Sequence, residues 1–174
     1  MKKLFPVIVI ALILITLSSC KVIKGTDGAP TGLRDITWGM ARTEVRKAET
    51  AKFMGYDDNY LFYHDTDKKQ PIVEMGLNTN NNVDLWYYFN SEDKLFKIEY
   101  RLSTPKMTDD YYKLLKSLMS DMYGKPYKED SPDKEDAHTK ITSWKSGKSD
   151  IRLSYQANPS SISKIMYVTY LPNN

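Results

Sequence analysis

The chain has 174 residues, 27% of them charged and 41% hydrophobic, with 13 tyrosines, 3 tryptophans and 1 cysteine. Its 25 Lys and Arg against 22 Asp and Glu give a formal net charge of +3, too even a balance to make an electrostatic case for nucleic acid. The length suits one domain with a proper core. Lys2 and Lys3 open the chain, and residues 4–17 (LFPVIVIALILITL) are almost wholly apolar. That run fits the ~7–15-residue apolar region of a signal peptide and falls short of the ~20 residues that cross a bilayer.

The small pair Ser18-Ser19 and the lone Cys20 follow. Leu17-Ser18-Ser19-Cys20 resembles the lipobox of bacterial lipoproteins. The resemblance implies that the Cys20 thiol receives a diacylglyceryl group, that cleavage falls before it, and that the new amine is acylated. One acyl chain binds a membrane marginally, whereas two or three on one residue hold it firmly. Lys21 stands where enterobacterial lipoproteins retained in the inner membrane carry aspartate, which favours the outer membrane. The plainer alternative is an ordinary secretory leader with an incidental cysteine. Residues 1–19 thus read as a lipoprotein signal peptide, 20–32 as the lipidated cysteine and a tether, and 33–174 as a single α+β domain. Loss of Lys2 and Lys3 leaves 23 basic against 22 acidic residues, a net charge of +1. With the thiol acylated, disulfides, thiolate metal sites and a cysteine nucleophile are excluded.

Residues 21–32 (KVIKGTDGAPTG) are rich in Gly, Pro and small polar groups. As a flexible chain they reach about 20 Å. Ala41, Val45 and Ala48 then repeat at helical spacing, which predicts a helix over 41–52, with Glu44 placed as in a capping box. Strands are expected at 60–65, 72–78, 83–90 and 94–103, with a turn at 78–82 (NTNNN). In 94–103 the alternation puts Phe96, Ile98, Tyr100 and Leu102 on one face and Lys97, Glu99 and Arg101 on the other. One dry face and one wet face imply an antiparallel sheet covered on one side.

A second helix begins after Thr108, with Asp109 and Asp110 in its first turn, and stops at Gly124 and Pro126. Leu115, Leu118, Met119 and Met122 form its apolar stripe. Residues 127–139 (YKEDSPDKEDAHT) read as a solvated loop, and three strands follow at 140–145, 150–157 and 163–171. The order is α-ββββ-α-βββ: two helix-plus-meander units, with one or two adjacent sheets and both helices on one face.

Trp38-Gly39-Met40-Ala41-Arg42-Thr43-Glu44-Val45 resembles a W-G-M-[ST]-x-x-E-V helix-start motif of small bacterial envelope proteins. Tyr123-Gly124-Lys125-Pro126 resembles the end of their second helix, and Gly39-Met40 with Val45 is a shorter echo of the outer-membrane-assembly lipoproteins of the SmpA/OmlA family. The helix-plus-meander arrangement is similar to the β-lactamase-inhibitor-protein type of fold. Ala41 departs from the usual Ser or Thr. These motifs imply a fold rather than a chemistry.

No catalytic constellation is legible. His64 ends a strand beside Asp65, and His138 sits in the acidic loop. Gly147-Lys148-Ser149 lacks the upstream glycine of a phosphate-binding loop and reads as a hairpin turn. The run from Asp65 to Gln70 starts like a calcium loop, but Lys69 and Gln70 occupy positions that need an oxygen ligand and a glycine. Glu129, Asp130, Asp133, Glu135, Asp136 and His138 read as a solvated charge run rather than a cation site. Neither cofactor nor metal is expected. The aromatic content is the better lead. Trp86 and Tyr88 share a strand face with Asp84, opposite Val83, Leu85, Tyr87 and Phe89. They either pack across the sheet or, with Lys97, Glu99 and Arg101, form an open face that binds a partner, since Trp, Tyr and Arg are enriched at binding hot spots. A non-enzymatic, lipid-anchored module that meets a protein is the expectation. A glycan or small-ligand module using the same face is the alternative, and a hydrolase using His64 or His138 is a third.

Overall fold

A computed structural model describes residues 36–65, 82–103, 108–131, 133–134, 137–157 and 164–173. Cys20, the tether, the strand expected at 72–78 with its flanking turns, and the calcium-like run beyond Asp65 lie outside the described residues.

The motif around Trp38 is a fastening between the first helix and the sheet. Gly39 N–H donates to the Leu95 carbonyl at 3.0 Å, and Leu95 N–H donates to the Met40 carbonyl at 2.9 Å. Gly39 needs its freedom here, because its φ of +80° is in the left-handed region. Trp38 Nε1 donates to Ser149 Oγ, 111 residues away, at 3.1 Å. Helix α1 (Arg42–Ala48) follows. Ala41 offers no capping oxygen, so the cap comes from Glu44, whose carboxylate accepts the Ala41 N–H at 2.7 Å. Arg42 donates to the carbonyls of Asp57 and Asp58 at 2.6 and 2.7 Å and to the Asp93 carboxylate at 2.9 Å, tying two turns to the helix start.

The helix is shorter than the span 41–52 suggests. Glu49 leaves it in extended conformation. Its carboxylate accepts the Ala51 N–H at 2.6 Å and the Tyr87 hydroxyl, which turns the chain into a strand absent from the expected order. That strand is β1 (Lys52–Tyr56), followed by β2 (Tyr60–Asp65), β3 (Asn82–Phe89) and β4 (Leu95–Ser103). Helix α2 (Asp109–Tyr123) lies where expected, capped by Thr108, whose side chain accepts from Tyr111 N–H, and closed by Gly124 at φ +86°. Residues 127–139, expected as a loop, contain β5 (Lys128–Asp130), β6 (Asp133–Lys134) and the start of β7 (Ala137–Ser146). β8 (Ser149–Ala157) and β9 (Lys164–Pro172) close the chain.

The nine described strands form one antiparallel sheet in the order β1-β2-β3-β4-β9-β8-β7-β5, with β6 also on β7. The fold is α+β, with the sheet its larger part. The two meanders meet where β4 pairs with β9, and register then lines up side chains across six strands. On one face runs the row Leu61, Tyr87, Ile98, Tyr170, Ile151 and Trp144. The next row on that face is Tyr63, Leu85, Tyr100, Val168, Leu153 and Thr142, and all twelve are buried. Both helices dock on this face. Val45 of α1 and Tyr112, Leu115 and Met119 of α2 join its core, and Tyr112 Oη hydrogen-bonds Thr142 Oγ1 at 2.6 Å.

Phe96 departs from its expected face. The pairing jumps from Tyr88↔Lys97 to Phe89↔Leu95, so Phe96 is the extra residue of a β-bulge. Leu95 turns into the core at 2% exposure, and Phe96 is left 40% exposed.

The core is unusually rich in phenols. Burial, then the charge of Glu49, pushes the Tyr63 hydroxyl up to about 12, against a smaller lowering by Arg46. Burial likewise raises Tyr112, Tyr123, Tyr155 and Tyr170. The folded chain therefore holds protons that the unfolded chain loses near pH 10, and stability must fall as pH rises through that window. The melting temperature is expected to drop between pH 10 and 12, with tyrosinate absorbance from the buried set appearing together with loss of circular dichroism. Full tyrosinate formation at pH 10 in a folded chain would contradict this account.

Candidate functional site

The face of the sheet away from the helices carries rows of the opposite kind. One is Phe62, Trp86, Glu99, Thr169, Arg152 and Ser143; the next is His64, Asp84, Arg101, Tyr167, Ser154 and Ile141. Period-2 alternation puts these residues here once the apolar rows face the helices. Trp86, Tyr88, Lys97, Glu99 and Arg101 do share this face.

Glu99 is at its centre and only 8% exposed. A buried carboxylate is costly unless its oxygens are bonded. Glu99 accepts from Arg101 Nε at 2.7 Å, from Lys97 Nζ at 3.1 Å and from Tyr88 Oη at 3.3 Å. Arg101 closes the ring by donating to Tyr88 Oη at 2.7 Å. Burial opposes the Arg101 charge, but the bond to Glu99 and the neighbouring Tyr88 and Glu99 outweigh it and raise its pKa. Burial, then the charge of Glu99, raises Tyr88, against the opposing charge and bond of Arg101.

The aromatic rings support these cations. Arg101 Cζ lies 4.0 Å from the Trp86 centroid, and Lys97 Nζ lies 3.6 Å from that of Tyr88. Trp86 stacks on Phe62 at 4.6 Å and meets Tyr60 at 4.5 Å. Its Nε1 is buried without a hydrogen-bond partner among the described residues. Trp86 is therefore packed across the sheet, as a platform for Arg101 rather than an open anchor.

Beside this cluster, over β4, β9 and β8, is an open groove of about 400 Å³. Tyr88, Lys97, Glu99 and Arg101 line one side; Arg152, Ser154 and Gln156 of β8 and Tyr167, Thr169 and Leu171 of β9 supply the rest. Sequence reading missed these six as site residues. The alternation of Arg152, Ser154 and Gln156 against Ile151, Leu153 and Tyr155 was the available signal, but nothing local says that β9 joins β8 to β4. The described lining consists mainly of charged, hydroxyl and amide side chains, which can recognise charge and form hydrogen bonds.

His64 stands apart from the groove. His64 Nδ1 is 3.0 Å from Asp84 Oδ1 on the same face. The serine in that cross-strand row, Ser154, is four strands away, about 19 Å at the usual ~4.8 Å spacing, and cannot share its proton. Of His138 only the backbone position in β7 is described. Glu129 pairs with Lys116 at 2.5 Å and Asp130 with Lys128 at 2.6 Å. As adjacent strand residues these two carboxylates point to opposite faces. No cluster of metal-ligating side chains occurs among the described residues.

The described residues form an α+β sheet domain with both described helices on one face and a cationic groove on the other. Residues 31–174 match the family model described as TP0088 domain, and the chain belongs to that family. No curated protein and no solved structure matches it.

Because Glu99 holds Arg101, Lys97 and Tyr88 together, Glu99→Gln is expected to cost about 1–3 kcal/mol, the range for a charged hydrogen-bond partner lost at a buried position. Urea denaturation measures this. An unchanged midpoint would mean that the carboxylate does not organise the face.

Proposed function

We propose that the chain is a lipid-anchored envelope protein, held in the outer membrane by acyl chains on Cys20, whose domain is a non-catalytic binding module for a protein partner. The observation that carries this reading is the groove over β4, β9 and β8, with its ordered charges and open mouth. Its rim of charged and hydroxyl side chains around Tyr88 and Tyr167 resembles the polar periphery of protein interfaces. The lipobox-like Leu17-Ser18-Ser19-Cys20 supports the anchor. A saccharide or small ligand is the second reading, favoured by the hydroxyl and amide groups of Ser154, Thr169 and Gln156 in the lining.

Two experiments test the two halves. Cys20→Ser is expected to abolish metabolic lipid labelling and move the chain out of the membrane fraction; labelling that persists in the variant rules out the anchor. A photo-crosslinking residue at Ser154 in the full chain is expected to trap a protein in cells that the same residue at Lys113, on the exposed side of α2, does not trap. Equal capture from both positions removes the groove as the docking surface.

A further inference from the structure

The charges in the groove are unbalanced. Among the described lining residues, Lys97, Arg101 and Arg152 stand against one carboxylate, Glu99. Glu99 is already committed, with Arg101 at 2.7 Å and Lys97 at 3.1 Å. Arg152 has no ion-pair or hydrogen-bond partner among the described residues, although its side chain is exposed. Register puts it in the same row as Glu99 with Thr169 between them, two strands or about 10 Å away. Asp150 is two residues along β8 on the same face and is not paired with Arg152. A planar donor fork thus stands across from a neutralised carboxylate, with the hydroxyls of Thr169 and Ser154 beside it.

We propose that the groove takes an acidic segment of a partner protein, with an Asp or Glu side chain of that segment pairing with Arg152 over Thr169. This rests on the reading of the groove as a protein-docking surface and names its chemistry. Arginine binds carboxylate in bidentate fashion, which fixes orientation as well as charge. The aromatic rings argue for a peptide over a sugar. Trp86 has Arg101 over one flat face and Tyr88 has Lys97, and Arg101 also lies 5.8 Å from the Tyr167 centroid, so cations already hold positions where a pyranose would stack. What remains open is cationic and hydrogen-bonding.

The test uses the purified full chain with three probes: a hexaglutamate peptide, a hexalysine peptide and polygalacturonate as an acidic polysaccharide. Hexaglutamate is expected to bind with salt-sensitive affinity and to shift the backbone amide resonances of Arg152, Ser154 and Thr169, while hexalysine does not bind. Arg152→Glu is expected to weaken hexaglutamate binding about tenfold or more, the scale of one charged hydrogen-bonded contact. Arg152→Gln repeats the test should the charge reversal disturb folding, which thermal melts report. Equal binding to the wild-type chain and both variants overturns the proposal, as does preference for polygalacturonate. If hexaglutamate does not bind while Ser154 crosslinks still trap a protein, the acidic-segment inference falls and the docking reading stands. If both fail, both fall.

Discussion

Burial of one sheet face beneath the two described helices is the constraint from which the rest of the described structure follows. The two described helices bring few buried side chains to the sheet: Val45 from α1, and Tyr112, Leu115 and Met119 from α2. Beneath them lie two rows of aliphatic and aromatic groups six strands wide. Each large apolar side chain that is fully buried contributes about 1.5–3 kcal/mol. A one-residue slip in any central strand would exchange those rows with Trp86, Glu99 and Arg152. Register is therefore strongly specified, and whatever alternates with the buried residues along each strand is carried to the other face regardless of its own preference.

Among the described residues no helix lies on the other face, which is held by its own side chains. Glu99 shows how: a carboxylate shielded from water is tolerable only because three donors converge on it. Trp86 supplies the floor, with Phe62 and Tyr60 against its ring and Arg101 above it. The result is a set of cations each held by a carboxylate and an aromatic ring. Preorganisation of this kind lowers the ordering cost of binding. Arg152 is outside the network and close enough to share a ligand with it.

Much of the fold was legible because alternation is a local signal. Val83, Leu85, Tyr87 and Phe89, and Ile151, Leu153 and Tyr155, are buried as their spacing requires. The caps of α2 were equally plain in Thr108 and Gly124. The misreadings have specific causes. β1 carries Gly55 and an irregular register at Met54, so its alternation is broken. Phe96 looked like a core residue because the bulge that expels it depends on β3, not on its neighbours in sequence. β5 and β6 belong to the sheet through backbone bonds to β7, which leave no apolar pattern in a run of Lys, Glu and Asp. Tyr112 was overlooked on α2 because its partner, Thr142, is 30 residues away.

The same division holds for the candidate site. By itself the sequence determined that Trp86 and Tyr88 share one strand face and that Lys97, Glu99 and Arg101 share another, because period-2 geometry is a property of each strand alone. The lipobox-like reading of Cys20 also belongs to the sequence. Only the tertiary structure decided that β9 returns to lie between β4 and β8. That pairing places Thr169 between Glu99 and Arg152 and turns two separate charged faces into one groove. It depends on contacts between residues about seventy positions apart, such as Glu99 and Thr169. Their partnership is selected by burial of the opposite face, where Tyr100 meets Val168, and not by anything either segment encodes locally.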